Sequence, residues 1–264
     1  VPDIVARLAM STTSTATMGA SPGVFRVGSV LGRALGLLTR HFVLFVLVAA
    51  VMKIADLQPV LRFALPATLP AGRLSLSSAA VTFGVSVLLP LLLAPVTQPV
   101  LYHTAFQDML GRPVRFSDSL GIALRRYFPV LFTSFAYSIA IGLGALLLLV
   151  PGIIIAIMWC VCIPACVVER LGSSESLRRS RYLTKGHRWR IFGIGLLVLV
   201  IALVVGVLQV PFVALLGLQL GLLAEFAVQA ILTAFGSLVL VVTYHDLRVA
   251  REGVGTDRIA AVFD

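Results

Sequence analysis

Cys160, Cys162 and Cys166 carry the most reactive side chains in the chain and are closely spaced, a C-x-C-x-x-x-C pattern inside the apolar run 153–168. Thiolates bind zinc or attack electrophiles, but a metal needs further ligands, and a thiolate in apolar surroundings is costly. No His, Asp or Glu set accompanies them, so they read as small polarizable core residues, with no metal and no cofactor expected. His41, His103, His187 and His245 lack the H-x-x-x-H or H-E-x-x-H spacing that puts two ligands on one helical face. No G-x-S-x-G, Walker or Rossmann pattern stands between a strand and a helix. The expectation is a protein without catalytic residues, not an enzyme.

Two other groups of residues could do work. Pro90, Pro95 and Pro99 fall within one predicted span. Proline removes a backbone donor, and a helix broken at membrane depth exposes carbonyls that can serve as ligands. With Gln98 and Glu225, the one acidic residue well inside a predicted span, Pro90 and Pro95 would line a cavity for a transported molecule. A kink repacked by its neighbours, and a Glu225 that reaches the membrane surface, account for the same residues. The second group is basic: the stretch 169–190 holds seven of the 21 Lys and Arg residues. Arg178, Arg179, Arg181, Lys185, Arg188 and Arg190 would attract anionic headgroups at about 1 kcal/mol each near a surface. Fixing the topology is the plainer role for the same charges.

The elements that must position these residues are membrane helices. With 59% hydrophobic and 12% charged residues and mean hydropathy +1.04, the chain departs from the soluble norm of about a quarter charged. The net charge of +10 sits between apolar segments, where positive-inside bias explains it, and no nucleic-acid partner is expected. Residues 1–24 lack the apolar core of a signal peptide and read as a flexible tail.

Six spans are predicted, at about 41–61, 78–106, 129–150, 152–168, 191–216 and 222–243, making a membrane domain of 25–246 with a C-terminal tail of 247–264. Pro151-Gly152 should make the tight turn between the third and fourth, while Pro164 and Pro211 should kink the fourth and fifth. Three amphipathic helices precede the odd-numbered spans. In 25–40, Val27, Val30, Leu31, Ala34, Leu35 and Leu38 form one face, and Arg26, Arg33 and Arg40 the other. The second covers 117–128, capped by Ser117 or Asp118, and the third follows an N-cap at Ser173 or Ser174 and ends near Gly186. All three are expected to lie in the membrane interface, with Arg26, Arg33 and Arg40 of the first and the basic residues of the third on anionic headgroups; for the first, packing on protein with its arginines in water uses the same pattern. Trp189 would sit in the aromatic belt.

Amphipathic helix, span, span thus recurs three times. The strings SVLGRALG (29–36), DSLGIALR (118–125) and SESLRRSR (174–181) suggest a threefold repeat. With six spans, 18 basic residues fall on one side against Lys53, Arg62 and Arg73 on the other, which puts both termini in the cytoplasm.

The residues Pro164, Val167-Val168-Glu169, Leu177-Arg178-Arg179-Ser180, Leu183-Thr184-Lys185-Gly186, Arg190 and Phe192, followed by Tyr244-His245-Asp246-Leu247-Arg248 and Glu252-Gly253, resemble a bacterial membrane-domain family. It is named after the membrane part of glycerophosphoryl diester phosphodiesterases, and the likeness covers mainly Pro151 to Gly253. The resemblance implies a six-span protein of the bacterial inner membrane. It implies no phosphodiesterase activity, which in that family belongs to a separate soluble barrel. The function expected is a lipid-associated scaffold or an accessory subunit of a larger membrane complex, touching anionic lipids and other membrane-protein subunits. The alternative is a small transporter or lipid-handling protein.

Overall fold

The structure, a computed structural model, describes residues 27–53, 76–112 and 116–252. Among these residues every regular element is helical: α1 (Val27–Arg40), α2 (Phe42–Met52), α3 (Leu76–Met109), α4 (Phe116–Arg125), α5 (Tyr127–Leu147), α6 (Leu149–Trp159), α7 (Cys162–Val168), α8 (Ser173–Thr184), α9 (Arg188–Leu216) and α10 (Leu218–Glu252). The tail 1–24, Arg26 and the predicted loop after the first span lie outside the described residues.

Four stretches are long and apolar enough to cross a membrane: Tyr127–Leu147, Val150–Val168, Arg188–Val213 and Leu220–Glu252. The pair α1 and α2 would make a fifth, but it bends by 97°. The protein is therefore a helical membrane protein. On α10, Ala230, Ala234, Leu238, Val241 and Val242 recur at three- and four-residue steps and are buried, so this helix packs one stripe into the core. It touches α1, α2, α3, α7, α8 and α9. By contrast α9 exposes Leu203, Val207, Leu208, Val210 and Leu215, a surface suited to hydrocarbon.

Several boundaries differ from expectation, each for a local reason. The turn between α5 and α6 is the single extended residue Leu148, with φ −164° and ψ 138°, and Pro151-Gly152 belongs to the first turn of α6. Proline is tolerated there because its missing N–H has no helical partner anyway. Gly152 allows close approach, since a Cβ on it would lie 2.8 Å from Ala145 N. Likewise a Cβ on Gly221 would lie 2.8 Å from Val213 Cα across the α9–α10 turn, which is Gly217 alone at φ 77°. Gly221→Ala should therefore destabilise the protein by about 1–3 kcal/mol through forced separation of the two helices. A lowered melting temperature in detergent checks it, and an unchanged one would rule out the contact.

Pro164 interrupts its helix within one span, where the sequence predicts a kink. The break at Cys160-Val161 sits where the proline ring would meet the carbonyl four residues back. By contrast α3, despite Pro90, Pro95 and Pro99, stays one helix rather than unwinding, and α9 continues through Pro211. The predicted tail also starts late, because α10 runs to Glu252. The N-cap of α8 is Gly172 rather than Ser173 or Ser174. Glu175 Oε2 accepts a hydrogen bond from Gly172 N at 3.3 Å, while Ser173 Oγ donates to Pro129 O at 3.1 Å.

The three amphipathic helices turn their inner faces onto protein, which is the packed alternative. α1 lies on α10, α4 on α3, and α8 on α5, α6 and α7. When Leu31, Leu120 and Leu177 are aligned, the preceding residues Val30, Ser119 and Ser176 are 0–1% exposed, and Ala34, Ala123 and Ser180 are 0% exposed. A single residue leads from α1 into α2, His41 at φ −125°, ψ 43°, and from α4 into α5, Arg126 at φ −103°, ψ 10°, whereas Lys185, Gly186 and His187 lie between α8 and α9.

Candidate functional site

The basic residues converge on one end of the bundle because the amphipathic helices and the ends of α3, α7 and α10 meet there. At its centre is Arg179, on the half-buried edge of α8. Its Nε donates to Glu169 at 2.7 Å from Oε2, and its Nη2 pairs with Glu252. Tyr244 OH donates to Glu169 Oε1 at 2.7 Å, and Arg248 Nε holds the other Glu252 oxygen at 3.1 Å. Five side chains from α7–α8 and the end of α10 thus form one network, with the planar guanidinium bridging two carboxylates. Burial alone would lower the Arg179 pKa, but the hydrogen bonds and charges of Glu169 and Glu252 outweigh it and raise it, so the cation is fixed.

Two other acids at this end, Asp246 and Asp108, are similarly occupied. Asp246 pairs with Arg33 of α1 and lies 3.4 Å from His245 Nδ1. Asp108 accepts from His41 Nε2 at 3.2 Å, with Arg40 Nη1 at 3.8 Å, within ion-pair range but beyond a hydrogen bond. Arg33 pairs from α1 to α10 as Arg179 pairs from α8 to α7. At the matching place between α4 and α3, Ile122 stands at that position, and Ser119 Oγ instead lies 2.9 Å from His103 Nδ1. Each amphipathic helix is thereby tied to a long helix by a polar contact.

Helix α10 is 35 residues long, about 52 Å, so with a hydrocarbon core of about 30 Å its charged last turns stand outside. Burial would raise the Glu252 pKa, but the hydrogen bonds and charges of Arg179 and Arg248 outweigh it and hold the pKa below the ordinary 4.5. A lowered folded-state pKa contributes stability that is present above the ordinary value and lost as pH falls through the folded one. The melting temperature should therefore drop on acidification below about pH 4.5 more steeply in the wild type than in Glu252→Gln. Parallel profiles would exclude the network as the cause.

The predicted headgroup residues divide. Arg179 is spent on Glu169 and Glu252, Arg33 on Asp246, and Arg40 leans on Asp108. Arg178, Arg181, Lys185, Arg188 and Arg190 are exposed, and no ion pair among the described residues includes them. Trp189, beside them, is 85% exposed. Of the predicted cavity residues, Gln98 is half-buried and Pro95 buried on α3, while Glu225 is exposed on α10. Pro90 lies within α3. The thiols belong to the core: Cys166 accepts from Thr133 Oγ1 at 3.9 Å and donates to Leu171 O at 3.5 Å. Among the described residues no three His, Cys, Asp or Glu could hold a metal.

The motif residues Ser180 and Thr184 had no role in the sequence reading; they donate to Met158 O at 3.0 and 3.2 Å just before the break between α6 and α7. Their signal was the small hydroxyl side chain recurring at 176, 180 and 184, one helical face. Residues 119–247 match a family model described as a domain of unknown function (DUF7847). That stretch takes in Ser119, Glu169, Arg179, Tyr244 and Asp246, the core of the polar contacts. No curated protein and no solved structure matches the chain.

Proposed function

We propose that the chain is a non-enzymatic protein of the bacterial inner membrane, a lipid-associated scaffold or accessory subunit of a larger membrane complex, whose basic end contacts anionic lipid headgroups. In this reading it has six spans, built as three repeats of amphipathic helix plus helical hairpin, with both termini and the basic end in the cytoplasm. It would then be a relative of the membrane-domain family that its α7–α8 and α10 motifs resemble. The matched burial of the three amphipathic helices supports the repeat.

One observation carries the lipid reading. Asp108, Glu169, Asp246 and Glu252 are held by internal partners, and against the one exposed acid of α8, Glu175, stand Arg178, Arg181, Lys185, Arg188 and Arg190, which leave a net positive surface. Anionic headgroups are the nearest charge of opposite sign for a surface next to the apolar start of α9. Extraction in polymer-bounded native discs, followed by lipid and protein analysis, tests the reading. Anionic lipid should be enriched over the bulk membrane. A lipid composition equal to the bulk would sink the reading, and a stoichiometric protein partner would identify the complex the scaffold serves.

A further inference from the structure

The three amphipathic helices share an inner face but differ on the outer one. With Leu31, Leu120 and Leu177 aligned, the five-residue strings are Leu31-Gly32-Arg33-Ala34-Leu35, Leu120-Gly121-Ile122-Ala123-Leu124 and Leu177-Arg178-Arg179-Ser180-Arg181. The second and fifth positions lie on the side away from the buried residues, three apart and so adjacent on a helix surface. In α1 and α4 they are Gly and Leu, and Leu35 and Leu124 are 54% and 60% exposed. In α8 they are Arg178 and Arg181, both exposed. Phe116 at the start of α4 and Phe128 in the first turn of α5 are also exposed.

An exposed leucine at a membrane surface is stable only in the acyl boundary, where its apolar area leaves water. An arginine at the same place belongs one layer out, among the phosphates. Packing holds α8 in this orientation, since Ser176, Ser180 and Thr184 on its opposite face are buried. Arg179 between the two cations is occupied by carboxylates, which leaves Arg178 and Arg181 as a fixed pair with no anion of its own.

We infer that the three pseudo-equivalent helices have divided their roles: α1 and α4 dip their outer leucines into the acyl layer, while α8 presents Arg178 and Arg181 as the site that holds the phosphate of an anionic phospholipid. This rests on the lipid reading above and narrows it to one helix and two residues. Only Lys185, Gly186 and His187 separate α8 from α9, whose first turn carries exposed Trp189 and apolar Ile191, and this nearness in the chain to a hydrocarbon-suited helix favours a lipid phosphate over a soluble anion.

The test is retention of phosphatidylglycerol from mixed phosphatidylglycerol–phosphatidylethanolamine nanodiscs, measured by native mass spectrometry. Wild type is compared with Arg178→Gln/Arg181→Gln and with Arg112→Gln/Arg125→Gln, which removes two exposed cations beside α4. The α8 variant should lose about thirtyfold in retention, as two headgroup contacts imply, while the α4 variant keeps it. Equal losses in both variants would overturn the division of roles yet leave the lipid reading standing. No enrichment in the wild type would overturn both. Because all four arginines are exposed, unchanged melting should show that the variants fold. Fluorescent labels on Leu124→Cys and Arg181→Cys, with unlabelled-site protein as background, add a depth readout. Lipids brominated on the acyl chain should quench the first and spare the second. Equal quenching would place α8 in the acyl layer and overturn the proposal.

Discussion

Replacing Arg179 with methionine should destabilise the protein by about 2–4 kcal/mol, somewhat under the usual cost of removing one partner from a fully buried ion pair, because the site is partly solvated. The substitution preserves much of the aliphatic stem but leaves Glu169 and Glu252 facing each other with one fewer cation. Tyr244 would still donate to Glu169, and Arg248 would still hold Glu252, so the loss is confined to the bridge between α7 and α10. Arg179→Lys should recover little, since an ammonium cannot bridge two carboxylates with a planar fork. Adding Glu169→Gln to Arg179→Met should cost less than the sum of the two single changes, because one stranded charge disappears. Thermal unfolding in detergent of the singles and the double measures this, and additive losses would contradict a shared network.

Ser180→Leu should cost about 3–5 kcal/mol, combining an overpacked contact with a carbonyl that loses a donor. Ser180 is fully buried against the end of α6, and its hydroxyl with that of Thr184 serves Met158 O where Pro164 has broken the helix. A leucine there must push α8 away from α6. On the same helix but on the outer face, Arg178→Leu should change stability by less than about 0.5 kcal/mol. The contrast is the informative part. If both substitutions were equally mild, α8 would not be packed on the broken helix.

How much of this was legible in the sequence depends on which residues carried the signal. The long apolar runs were visible because a span needs about 20 apolar residues and little else, and α5, α9 and most of α10 fall where hydropathy puts them. The amphipathic helices were visible by their period, but period cannot say whether an apolar face meets lipid or protein. Val30 and Ala34 meet α10, and the answer lies in a partner some 200 residues away. Charge was misread in the same way. Arg33, Arg179 and Arg178 look alike in a string, yet two are occupied by Asp246, Glu169 and Glu252, and only the contact map separates them. The α8 cap was misplaced because Ser173 had a competing acceptor, Pro129 O, that only tertiary structure supplies. The turn at Leu148 was displaced by three residues because proline at a helix start and proline in a turn have the same sequence signature.

In the proposed topology the basic end faces the cytoplasm while the α5–α6 and α9–α10 turns face the other way. Single cysteines at Arg112 and Arg188 on the basic end, and at Leu148 and Leu215 beside the turns, can be probed in intact cells with a membrane-impermeant maleimide. Leu148→Cys and Leu215→Cys should label from outside, and Arg112→Cys and Arg188→Cys only after the membrane is opened. Labelling of Arg188→Cys from outside, or of all four alike, would contradict it.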